Sequence, residues 1–185
     1  DVTEGETMNE FTKQVTLERP FAQLNLGIDN TELEDAKKAG IVVKQTKIKV
    51  SNVYDVFSAY DDAVVTTDAA EEMEFAMNTI PAEALTVGEA TYTYLAMNYL
   101  LVGDKDTEKS LTDVEFIWTG ADNKTNDPTT SFINIPVQRN YRTNILGKLL
   151  TNPANFTITI DAAFKGDKNK IYEDENGVYV AVVST

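Results

Sequence analysis

The sequence predicts an all-β protein, an antiparallel β-sandwich with one short helix. Three observations point to it. Apolar residues recur at alternate positions in segment after segment, the period of a strand with one face buried. The spacers between these segments are rich in Asp, Asn, Gly and Lys, as solvated turns are. Strand and helix signals never alternate in the way that builds a parallel sheet, so about eight to ten strands must pair mainly with antiparallel neighbours.

Residues 1–12, DVTEGETMNEFT, are acidic and polar without period and read as a tail or linker, which leaves residues 13–185 as a single sandwich domain. Val15 and Leu17 open a strand. After Arg19-Pro20 the phase shifts to Ala22, Leu24, Leu26 and Ile28, which gives strand, kink, strand. Asp29, Asn30 or Thr31 can cap ELEDAKKA, with acids in its first turn, lysines near its end and Gly40 to stop it, so this is the one helix. Strands follow in IVVKQTKIKV, VYDVF and EEMEFAMNTI, the last with Met73, Phe75 and Met77 on alternate positions. Further strands are expected at residues 91–102, 113–120, 131–151, 155–161 and 177–183. DDAVVTTDAAE, GDKDTEKS, GADNKTNDPTT and KGDKNKIYEDENG read as the solvated connections.

Composition removes whole classes of function. The 185 residues carry a formal charge of −14, with 16 basic and 30 acidic side chains, a surface that repels phosphate backbones and anionic membrane faces. No nucleic acid partner is expected. Without cysteine or histidine there is no thiol nucleophile, no imidazole base and no Cys- or His-ligated metal. No enzyme activity and no cofactor are therefore expected. Asp104, Asp106, Glu108 and Glu115 fit positions of a calcium-loop template, but Lys109 replaces its glycine and the flanks are strands, which favours a solvated hairpin loop. Asp122, Asn123, Asn126 and Asp127 form a second oxygen-rich loop, and Asp61-Asp62, Glu71-Glu72 and Glu173-Asp174-Glu175 read as surface charge. An aromatic platform for glycans has three candidates, Tyr92, Tyr94 and Trp118. Trp118 continues the line Val114, Phe116 and reads as core, while Tyr92 and Tyr94 share one face of their strand.

The densest polar pattern is VQRNYRTNILG, residues 137–147. Odd positions run Ile133, Ile135, Val137, Arg139, Tyr141, Thr143, Ile145; even ones run Asn134, Pro136, Gln138, Asn140, Arg142, Asn144. The odd face is mainly apolar, so Tyr141 is expected in the core with its hydroxyl bonded. A straight strand over 133–149 would span roughly 56 Å at ~3.3 Å per residue, too long to remain straight. Pro136 and Gly147 are the expected bends, with Arg139 and Arg142 offering forked donors to carbonyls or carboxylates nearby.

LERPFAQLNLG (17–27), YTYLAMNYLLV (92–102) and above all IPVQRNYRTNILGKLLT (135–151) resemble, in order and spacing, the second domain of the Bacteroidales fimbrillins, the subunits of type V pili. Arg139, Asn140, Tyr141, Arg142 and Asn144 belong to the most specific of these motifs. The resemblance implies a transthyretin-like sandwich in a lipoprotein precursor exported to the surface of a Gram-negative bacterium. It further implies proteolytic maturation, strand exchange between neighbouring pilus subunits, and host or bacterial surface ligands as further partners. Family precursors begin with a lipoprotein signal and an N-terminal sandwich, which this chain lacks; it is expected to be the C-terminal domain of a larger precursor. A glycan-binding surface module is the alternative. The run GVYVAVVST, residues 177–185, is either the domain's own last strand or, as the resemblance implies, a donor strand presenting Val178, Val180 and Val182 to a neighbour's groove.

Overall fold

The computed structural model describes residues 19–65, 71–103, 110–154, 156–161, 169–173 and 179–183. The tail at 1–12, the strand signal at Val15 and Leu17, the calcium-template positions Asp104, Asp106 and Glu108, and Val178 lie outside them. In chain order the elements are β1 (Phe21–Ile28), α1 (Glu32–Lys38), β2 (Gln45–Val53), β3 (Phe57–Ser58), β4 (Ala63–Val64), β5 (Glu71–Glu74), β6 (Asn78–Thr79), β7 (Ala84–Val87), β8 (Ala90–Leu101), β9 (Ser110–Thr119), β10 (Thr130–Val137), β11 (Arg142–Gly147), β12 (Phe156–Asp161), β13 (Asn169–Glu173) and β14 (Tyr179–Val183).

The fold is all-β and mostly antiparallel, with one short helix among the described residues. The larger sheet runs β13-β14-β12-β11-β1-β8-β7, the second runs β10-β9-β2-β5 with β6 beside β2, and β3 pairs with β4 in a small hairpin. One core lies between the two main sheets. Ala22, Leu24, Leu26 and Ile28 of β1 enter it on alternate positions, as their spacing predicts, together with Leu100 and Ile145. Ile48, Val50, Val114, Phe116, Phe132 and Ile135 meet them from the second sheet, and Phe132 packs edge-on to Phe156 with ring centroids 4.9 Å apart.

Three expectations need correction. Two strand pairs are parallel, β1 with β11 and β12 with β14. The connection KGDKNKIYEDENG contains β13, which is part of the larger sheet. The segment 131–151 is not one bent strand: β10 ends at Val137 in one sheet and β11 begins at Arg142 in the other. Pro136 lies inside β10 rather than at the bend, tolerated because β10 is the last strand of its sheet and needs a ladder on one side only.

The helix ends as its sequence predicts. Gly40 takes φ +83°, its amide donates to the Lys37 carbonyl at 3.0 Å, and the Ile41 amide donates to Ala36 at 2.8 Å, so two terminal carbonyls are satisfied. Its first residue does more than favour the dipole. Glu32 is fully buried, and its Oε1 accepts the amides of Leu150 at 3.1 Å and Thr151 at 2.8 Å, which fastens α1 to the turn after β11. Replacing it with alanine orphans two amides, at about 1–3 kcal/mol for each one left without a partner. Glu32→Ala is therefore expected to lower the urea midpoint far more than Glu34→Ala, whose side chain bonds only the exposed Lys37.

Candidate functional site

Residues 138–141 carry the chain from one sheet to the other and must find partners for amides that have left a ladder. Asn140 adopts φ +66°, a left-handed conformation that asparagine tolerates better than most residues. Its amide donates to the Phe21 carbonyl at 2.8 Å, and the Tyr141 carbonyl accepts the Gln23 amide at 2.9 Å. β11 thus enters beside the start of β1 and runs parallel to it. Thr143 Oγ1 donates back to the Pro136 carbonyl at 2.7 Å, tying the first turn of β11 to the end of β10.

Arg139 fixes this joint from inside. Its side chain is 2% exposed, with Nε donating to the Arg19 carbonyl at 3.0 Å, Nη1 to the Asp62 carbonyl at 2.9 Å and Nη2 to Asp62 Oδ1 at 2.5 Å. The guanidinium also lies 5.0 Å from the centre of the Phe57 ring, within cation–π range. Asp62, expected as surface charge, instead anchors the β3–β4 hairpin to the joint. Tyr141, expected in the core, is only half-buried, and its hydroxyl makes no hydrogen bond to the described residues. The crossing turns the tyrosine out of the strand's phase, so its backbone contributes what its ring does not.

Arg142 and Asn144 point to the other face of β11. Arg142 Nη2 donates to Asp161 Oδ2 at 2.6 Å, and the Asp161 side chain is almost wholly buried. Among the described residues Arg142 Nε and Asp161 Oδ1 have no hydrogen-bond partner. Asn144 stands opposite Asn25 across the parallel pair and accepts from its Nδ2 at 2.8 Å, while Gln23 Nε2 donates to Asn25 Oδ1 and Asn144 Nδ2 to Thr159 Oγ1, both at 3.0 Å. A buried amide chain therefore crosses β1, β11 and β12, each member oriented by the next. Sequence reasoning missed Gln23, Asn25, Asp62 and Asp161. The available signal was a pair of amides at alternate positions of a strand whose other face is wholly aliphatic.

The three aromatic candidates do not form one platform. Tyr92 and Tyr94 belong to the larger sheet, where Tyr94 is buried with Leu85 and Leu146 and Tyr92 packs against them. Burial pushes the Tyr94 hydroxyl above its ordinary pKa, against a smaller opposing pull from Arg142. Trp118 belongs to the second sheet and packs against the main core, yet it also lines two surface clefts of about 550 and 460 Å³. Asn126 and Asp127 of the second oxygen-rich loop line both. The hydrogen bond from the Lys124 amide, with lesser help from the Lys124 side chain, holds the Asp122 carboxylate below its usual range. Glu115, the last position of the calcium template, sits in β9 and accepts from Thr129 Oγ1 at 2.6 Å.

At the opposite end of the larger sheet, β14 carries Val180 and Val182 and, among the described residues, pairs with β12 over Thr159–Asp161. Phe156, Thr157 and Ile158 pair with β11 on one side and have no strand on the other among the described residues. β13 and β14 form an antiparallel pair of five residues each, held to the sheet through that three-residue ladder.

These features define a mostly antiparallel all-β protein in which two sheets share a core and residues 138–141 carry the chain directly from β10 of one to β11 of the other. The chain belongs to a family of unknown function, DUF6562, whose family model matches residues 1–181. No curated protein and no solved structure matches it significantly.

Two substitution series follow from the joint. Arg139→Lys keeps the charge but loses the fork, and is expected to cost about 2–4 kcal/mol because carbonyls and a carboxylate lose donors. Tyr141→Ala should cost less, about 1–3 kcal/mol, since the ring is only partly buried and its hydroxyl bonds none of the described residues. Urea denaturation of both variants checks this order. Arg142→Ala should cost roughly 3–5 kcal/mol by leaving Asp161 buried without its cation, and Arg142→Ala combined with Asp161→Ala should recover part of the loss.

Proposed function

We propose that the chain is a structural, adhesive subunit of a cell-surface fimbrium, joined to neighbouring subunits of its own or a related family by β-strand exchange. The resemblance of residues 17–27, 92–102 and 135–151 to fimbrillins motivates the reading, and with it come a transthyretin-like sandwich, a Gram-negative outer surface and a lipoprotein precursor. Its role involves no chemical step.

One structural observation supports it above the others. Among the described residues the strand β14 pairs with β12 in parallel over Thr159–Asp161, and Phe156–Ile158 of β12 face no described strand on that side. Parallel pairing is slightly the weaker kind per residue. A strand from a neighbour could occupy this β12 edge and gain backbone hydrogen bonds along it. The half-buried Phe156 and Ile158, packed against the core, lie on that strand and offer side-chain register.

The chain has no cysteine, so an engineered pair reports cleanly. Thr159→Cys with Tyr179→Cys joins positions that are register partners. Oxidised, the pair locks β14 to its own β12; filament formation by cells producing the protein is expected to stop and to resume on reduction. Filaments that form equally well from the locked protein would remove β14 as the exchanged strand. Deleting residues 177–185 is expected to leave a folded domain that no longer polymerises.

A further inference from the structure

We propose that Trp118 and the loop after β9 form a binding site for a neutral saccharide. The site lies between the end of β9, the loop after it and the turn that leads from β11 into β12, and it involves no residue of β12 or β14.

The argument starts with the position of the indole. Trp118 is the last inward-facing residue of β9, so it packs against the core and yet is only partly buried where the strand ends. It lines a cleft of about 550 Å³ with Asn126, Asp127, Thr129, Thr130, Ser131 and Leu150, and a neighbouring cleft of about 460 Å³ with Asp122, Lys124 and Thr125. Both volumes fall in the roughly 300–1,000 Å³ range of small-molecule sites. An aromatic surface ringed by hydroxyls, a carboxamide and a carboxylate matches a pyranose, which has apolar C–H faces and a rim of hydroxyls.

Charge narrows the ligand class. No cationic side chain lines the larger cleft; in the smaller one Lys124 lies 3.4 Å from Asp122, within a chain of net charge −14. Phosphorylated, sulfated or sialylated ligands would meet repulsion there. The Asp127 carboxylate is exposed and makes no hydrogen bond to the described residues, so both its oxygens are free to accept sugar hydroxyls.

The loop is also preorganised. Asn126 Oδ1 accepts the Trp118 amide at 2.8 Å, and the Asn126 amide donates to the Trp118 carbonyl at 3.0 Å, which fixes the polar rim to the strand that carries the indole. Gly120 and Lys124 close the turn between them through a bond of 2.9 Å. Little ordering remains for a ligand to impose.

Trp118 is the sole tryptophan, so emission excited at the long-wavelength edge of indole absorption, beyond the eight tyrosines, reports on this site. The probes are neutral gluco-, manno-, xylo- and galacto-oligosaccharides, with sialylated and sulfated oligosaccharides as the anionic arm. At least one neutral series is expected to shift or quench the emission saturably. Asp127→Asn, an exposed substitution that leaves the fold intact, should weaken binding roughly tenfold through loss of charge-assisted hydrogen bonds. Trp118→Leu should abolish binding measured by calorimetry while the chain still unfolds cooperatively. A flat response to every neutral series, binding of the anionic arm alone, or unchanged affinity in Asp127→Asn would each overturn the proposal.

Discussion

A strand that leaves one sheet for another gives up its hydrogen-bond ladder, and burying that crossing without replacements is prohibitively unfavourable. The rest of this structure depends on how residues 138–141 meet that constraint. Their amides and carbonyls bond to the start of β1, Arg139 supplies three further donors from inside, and Thr143 returns to Pro136. The parallel alignment of β1 and β11 follows, because both strands are pinned at the same end. So does the single core, since the segment that supplies Ile135 and Val137 to one sheet supplies Ile145 to the other.

Much of this was legible in the residues. Period-two alternation located β1, β8, β9 and β12, and Gly40 located the end of α1, whereas the expected N-terminal cap is not made: Thr31 precedes the helix without a side-chain hydrogen bond to it. Alternation failed where the backbone breaks its own phase. A register shift between Phe132 and Ile135 turns Ile133 to solvent although it belongs to the apolar series, and the crossing leaves Tyr141 only partly buried. Asn134 and Asn140 mark both places, each with a positive φ. The non-glycine residues with positive φ among those described are all Asn or Asp, so these side chains were better markers of the bends than Pro136.

The buried polar side chains were harder to foresee because their partners are remote in sequence. Asn25 meets Asn144, Arg139 meets Asp62, and Arg142 meets Asp161 only once the sheet order exists. The sequence shows that Arg139 and Arg142 need acceptors but not which carboxylates provide them. Trp118 illustrates a different limit: its spacing correctly puts it on the inward line of β9, but spacing does not reveal that the strand ends there and leaves the ring bordering two clefts. The proposed saccharide site and the proposed exchange edge share no residue, and each is tested by its own substitutions.

Native-state hydrogen exchange of the Gln23 and Asn140 amides tests the central claim most directly, because those two bonds join the crossing to β1. If the crossing holds both sheets, these amides should exchange only through global unfolding, with the same free energy and denaturant dependence as core amides of β1 and β9. Exchange at distinctly lower free energy, with β9 and β10 opening while the larger sheet remains protected, would contradict it.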